Sequence, residues 1–148
     1  MNCDWRPWWT GRDGNRTHGY VATRRHVRRR FTQAGATNAI WVWNPIVSYD
    51  GSTALPELFP GADEVDWLAV DGYNWGFTRD WGWQSYPDIF APTVKRAPRL
   101  APRRPLMIAE TGSAPGRRKA SWVTDTFTSA RAAGVDAVVW LEYVKEVD

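Results

Sequence analysis

Pro105-Leu-Met-Ile-Ala-Glu-Thr-Gly-Ser113 is a short apolar run that ends on a carboxylate and then breaks into small residues. Consecutive apolar side chains without polar alternation read as a parallel strand covered on both faces. Such a strand would carry Glu110 to the open end of a sheet, where β/α barrels gather their catalytic groups. Two plainer uses of Glu110 stay open: capping the next helix, or pairing with one of the chain's many arginines.

Three more runs of the same kind flank it, Asn38-Ala-Ile-Trp-Val-Trp43, Val65-Asp-Trp-Leu-Ala-Val70 and Ala137-Val-Val-Trp-Leu141. Between them, apolar periodicity predicts helices over residues 21–34, 86–97 and 119–133. Each approach to a strand passes a stop signal, at Gly35, Gly61, Pro105 or Gly134. Strand alternating with helix at this spacing implies parallel strands joined by right-handed crossovers. The expected fold is therefore α/β with about four parallel strands, and the resemblance given below implies the (β/α)8 TIM-barrel type. The Gly-, Pro- and aromatic-rich segments 44–61 and 71–88 both follow strands, so they fall where barrel active-site loops collect.

At 148 residues, 1–148 is expected to be a single domain. No stretch approaches the roughly 20 apolar residues of a membrane span, and no basic-then-apolar leader opens the sequence. One cysteine, Cys3, and two histidines, His18 and His26, argue against a disulfide framework and a structural zinc site, and no cofactor is expected. The formal charge of +3 gathers in Arg24-Arg-His-Val-Arg-Arg-Arg30. That run reads either as a nucleic-acid patch or as the solvated face of a helix whose apolar stripe is Val21, Val27 and Phe31, and the stripe favours the second. No nucleic-acid or membrane partner is expected.

Tryptophan is the compositional outlier, with 11 residues. Trp5, Trp8, Trp9, Trp43, Trp75, Trp81, Trp83 and Trp140 fall at the ends of apolar runs, where flat rings could stack on the apolar C–H face of a sugar. Trp41, Trp67 and Trp122 are expected in the core. Asp71-Gly-Tyr-Asn-Trp-Gly76 follows the second strand as Glu110 follows the third. A tyrosine hydroxyl from that neighbouring strand end could hold a carboxylate ionised and aimed, as a nucleophile requires.

Taken together, Trp41-Val-Trp-Asn-Pro45, Pro60-Gly-Ala-Asp-Glu-Val-Asp-Trp-Leu-Ala-Val-Asp-Gly-Tyr-Asn-Trp-Gly76, Pro105–Ser113 and Val138-Val-Trp-Leu141 resemble glycoside hydrolase family 26, the β-mannanase family of retaining (β/α)8 glycosidases. The ordered set spans nearly the whole chain and implies the second half of such a barrel, strands five to eight. The resemblance implies that Glu110 is the catalytic nucleophile and that Tyr73 positions it. Trp140 would floor the subsite of the sugar being cleaved, while Trp5, Asp71 and Trp75 would complete the substrate-binding set. It also implies hydrolysis of a β-linked plant polysaccharide, β-1,4-mannan first, by double displacement, and secretion to reach it.

A retaining glycosidase needs two carboxyl groups about 5 Å apart. In the family, the proton donor is a Glu in a His-Glu pair that, on this alignment, would lie immediately before Met1. The chain is thus expected to lack its acid/base, since none of Asp4, Asp71 and Glu142 matches that position. It is further expected to be unstable or self-associating through the open half-barrel. The competing expectation is an inactive fragment, or a carbohydrate-binding half-barrel without catalysis.

Overall fold

The computed structural model describes Cys3, Asp4 and residues 6–142. Four parallel strands, β1 (Val42–Trp43), β2 (Trp67–Asn74), β3 (Leu106–Ser113) and β4 (Ala137–Trp140), lie side by side in chain order. Helices α1 (Thr17–Gln33), α2 (Leu55–Leu58), α3 (Tyr86–Arg96) and α4 (Lys119–Ala132) alternate with them. The expected half-barrel-like α/β arrangement is therefore the observed one.

Local chemistry explains the best-defined helix. Ser85 and Asp88 form a reciprocal capping box at the start of α3, with proline in its first turn. Tyr86, Ile89, Phe90, Thr93 and Val94 then repeat at helical spacing and are all buried. They pack on Leu68 and Val70 of β2 and Leu106 and Ile108 of β3, joined by Trp122 and Ala130 of α4. This single-sided core holds the helices to one face of the sheet. Two carboxylates clamp the strand starts: Asp66 accepts from the Trp41 amide at 2.8 Å, and Asp136 from the Leu106 amide at 2.9 Å.

β2 and β3 each run four residues beyond the apolar runs predicted at 65–70 and 106–109, so Asp71 and Glu110 lie within strands rather than after them. Gly72 does not interrupt β2, because the missing side chain is what lets α3 approach. A Cβ there would lie 2.8 Å from both Ile89 Cγ2 and Phe90 Cε1. β1, expected over 38–43, is only two residues long, although the chain past Pro45 stays beside β2 through a bridge between Ile46 and Asp71.

The tryptophans sort differently from expectation. Trp43, placed among candidate stacking rings, is 1% exposed and donates its indole N–H to the Leu58 carbonyl at 3.1 Å. Trp122 is buried as expected, whereas Trp41 and Trp67 are only half-buried.

The arginine run is also more structural than a solvated face. Arg24 donates to the Val42 carbonyl at 3.1 Å, Arg25 to that of Pro60 at 2.8 Å, and Arg28 to Asp63 and Glu64. Its helix buries no residue fully, and Val27 and Phe31 stay largely exposed.

Candidate active site

Side chains that are register partners in a parallel sheet share a face, and successive residues alternate faces. Val70 pairs with Ile108, and both belong to the helix-side core. The next pair is Asp71 with Glu110, not with Ala109, because β3 carries one extra residue there. The same irregularity separates the Ile108–Val138 pair from the Thr111–Trp140 pair. In an unbroken strand Glu110 would point with Ile108 into the helix layer. The bulge turns it over, onto the opposite face beside Asp71.

That face carries the other expected residues of β2. Asp71 is pinned in its backbone by Val47 N–H donating to its carbonyl at 2.8 Å and by its own N–H donating to Pro45 at 3.2 Å. Its carboxylate accepts from the Asn44 amide, at 2.9 Å to each oxygen. Tyr73 is two residues further along and pairs with Gly112. A Cβ on Gly112 would lie 3.4 Å from the Tyr73 ring and 3.3 Å from the Leu141 carbonyl, so glycine leaves room for the tyrosine beside β3. Trp75 tilts against Tyr73 with ring centroids 5.5 Å apart, and Arg79 stands 5.3 Å over the Trp75 ring. Glu110, Asp71, Tyr73 and Trp75 are thus brought together at the ends of β2 and β3.

Buried Asn74 closes the loop beyond them. Its side-chain oxygen accepts from Gly76 N–H at 3.0 Å and Gln84 N–H at 3.2 Å, and its amide donates to Ser113 at 3.3 Å. These bonds fold residues 75–84 back on the strand end and leave Phe77 and Trp81 exposed, at 80% and 59%.

Trp140 sits elsewhere. It pairs with Thr111, whose side chain faces away from Glu110, and its ring meets Trp122 of α4 at 6.1 Å and the Lys119 ammonium at 5.8 Å. Its indole N–H donates to Glu142. Trp5 lies outside the described residues, but its neighbour Asp4 donates its amide N–H to the Tyr49 hydroxyl and accepts that hydroxyl's proton, both at 3.1 Å. Asp4 is therefore docked on the loop that follows β1. Of the remaining acids near the strand ends, Glu142 is held below the usual carboxylate range, first by the Trp140 indole and then by Lys119. An acid so held stays an anion and makes a poor proton donor.

Sequence reasoning did not find Asn44 or Asn74. Asn44, directly after the run predicted at 38–43, was an available signal, since a short amide at a strand end can satisfy backbone or carboxylate groups there, whereas Asn74 lies four residues past the run predicted at 65–70. Among the described residues no helix is long and apolar enough to cross a membrane, and no group of three or more His, Cys, Asp or Glu could hold a metal ion.

No protein-family model matches the chain. Endoglucanase H of Acetivibrio thermocellus is 37% identical over 155 aligned positions, covering 99% of this chain but only 17% of that protein. The catalytic domain of an endo-β-1,4-mannanase of family 26 from Bacillus sp. JAMB-750 superposes with a TM-score of 0.66 at 18% identity, covering 95% of this chain and 39% of that one. A family 26 protein from a Muricauda species superposes with a TM-score of 0.54 at 20% identity, covering 82% and 35%. The superpositions show the fold, and the chain spans well under half the length of each of these proteins. Together these matches relate the chain to glycoside hydrolases, with the fold of family 26 members over part of one catalytic domain.

Proposed function

We propose that this family 26-like half-barrel carries the nucleophile of a retaining β-glycanase. The observation behind the reading is the bulge in β3, which sets the Glu110 carboxylate on the open face of the sheet beside Asp71 and Tyr73. In the first step Glu110 attacks the anomeric carbon and forms a glycosyl ester, while a carboxylic acid protonates the departing oxygen. Water then attacks the anomeric carbon, giving its proton back to that acid's conjugate base, and the bond to Glu110 breaks so that it leaves as a carboxylate. Glu142 is held ionised and Asp71 spends both oxygens on Asn44, so the proton donor is assigned to the barrel half that would close the open face. Tyr73 positions Glu110, Asp71 fixes the strand end, and Trp75 and Trp5 contact sugar. The substrate is a secreted enzyme's substrate, a plant polysaccharide too large to enter a cell.

β-1,4-Mannan is the substrate that the family resemblance implies. The 37% identity to an endoglucanase supports a second reading, a β-glucan. Hydrolysis assays on mannan and on mixed-linkage β-glucan, run on the chain together with its completing barrel half, separate the two by initial rate. Product anomers followed by NMR test the double displacement, since net retention is required. Inversion, or no release of reducing sugar from either polymer, would remove the proposal.

Trp140 is proposed to wall the sugar subsite from the rim of β4. Trp140→Ala should then raise KM with little change in melting temperature, by an amount equivalent to roughly 1–3 kcal/mol of lost apolar contact. Its contacts with Trp122 and Lys119 give the contrary expectation. Unfolding at lower temperature with an unchanged KM would assign it to packing instead.

A further inference from the structure

A groove of about 360 Å³ opens between the start of α3 and the length of α4. It lies on the helix side of the sheet, because α3 packs on the Gly72 face of β2, opposite Asp71, Tyr73 and Glu110. Its walls include Trp83, Tyr86, Arg118, Ser121, Trp122 and Asp125. Ser121, Trp122 and Asp125 lie along α4 three, four and seven residues after its N-cap residue Arg118, so one face of that helix and its cap supply them all.

The polar groups of the groove are built into it. The Arg118 guanidinium stands 4.6 Å over the Trp83 ring and 5.7 Å from that of Phe77, which holds a long side chain in place. Trp122 donates its indole N–H to the Gln84 carbonyl at 2.8 Å, leaving an apolar wall. Tyr86 is 4% exposed and stacks on Phe90 at 5.1 Å, and its buried hydroxyl has no hydrogen-bond partner among the described residues. Buried hydroxyls are rarely left so. Burial also pushes the Tyr86 phenol above its ordinary value of 10.0, keeping it a donor at neutral pH.

We infer that this groove is a second carbohydrate site, which takes one uncharged pyranose unit of a polysaccharide chain, apart from the face that carries Glu110. Asp125 disfavours an anion and Arg118 a cation, whereas a polyhydroxylated ring suits both. A carboxylate accepts from its hydroxyls, a guanidinium and the Tyr86 O–H donate to them, and the rings meet its C–H face. The volume is at the lower end for small-ligand sites, which fits one or two sugar units. The inference does not depend on the role of Glu110.

The test is calorimetric titration of the full chain with mannohexaose and with cellohexaose, with backbone hydrogen exchange mapped on the complex. One of the two sugars should bind and slow exchange across residues 118–129, and should still do so in Glu110→Gln. Asp125→Ala, at an exposed position, and Tyr86→Phe, which keeps the ring, should each weaken binding about tenfold and abolish that protection. The inference is overturned by parental affinity in both variants, by protection confined to residues 71–76 and 110–113, or by no binding of either sugar. Hydrolysis by the chain together with its completing barrel half, measured alongside, keeps the two proposals separate. Protection at 118–129 without hydrolysis upholds the groove and removes the catalytic reading, and hydrolysis without such protection does the reverse.

Discussion

Glu110→Ala is expected to lower kcat/KM of the completed enzyme on the order of 10⁴-fold or more, because removing a covalent nucleophile removes the path and not just a contact. Nothing nearby can replace it. Asp71 is the register partner, yet both its oxygens are engaged by Asn44 and its backbone is tied on both sides. A shift of about 1 Å in the attacking group is already costly in such a site. Steady-state kinetics on polymeric substrate give the magnitude. A second readout identifies the role: azide added to the variant should restore part of the turnover and yield a glycosyl azide of inverted configuration. An alanine variant within tenfold of the parent, with no azide product, would remove Glu110 from the reaction.

The second large effect is on folding. Gly72→Val should destabilise the domain by about 3 kcal/mol, at the upper end for overpacking a core. Its first side-chain atom alone would lie 2.8 Å from Ile89 Cγ2 and Phe90 Cε1, and 3.0 Å from Phe90 Cζ. All three belong to residues of the core helix α3, whose cap and stacked rings resist displacement. Against a typical stability of roughly 5–15 kcal/mol that is a large share. Urea unfolding should show a lower midpoint with an unchanged slope. Gly19→Ala is the control. It sits in α1, where the added methyl meets nothing, and should leave stability unchanged or raise it by up to about 1 kcal/mol. Equal midpoints for the two variants would mean that α3 yields and that the close approach is not a constraint.

The sequence made some of this structure readable and hid other parts for physical reasons. The helix at 86–97 was legible because its capping box, first-turn proline and buried spacing all agree. That the strands run parallel followed from alternation alone. The strand ends did not, since Gly72 and Gly112 look like breakers until the neighbours that need their bareness are known. Glu110, Asp71, Tyr73 and Trp75 could be proposed from their positions in short motifs, and they do converge. Trp43 and Trp140 carried the same signal as Trp75, a ring at the end of an apolar run. Which side of the sheet a ring takes depends on pairing register, and single-chain periodicity does not reveal register. Asn44 was hidden because its partner Asp71 lies 27 residues away.

The extra residue at Ala109 means that the chemistry at position 110 is set by counting as well as by identity. Along a strand, up and down alternate, and one added residue exchanges the two for everything beyond it. A relative could keep every residue of Ile108-Ala-Glu-Thr and still lose the carboxylate proposed to attack into the helix layer if its neighbouring strand gained one residue at the matching place. In comparisons of such chains, a single-residue gap inside this strand is therefore a change of function, whereas the same gap in the loop at 44–61 is a change of length.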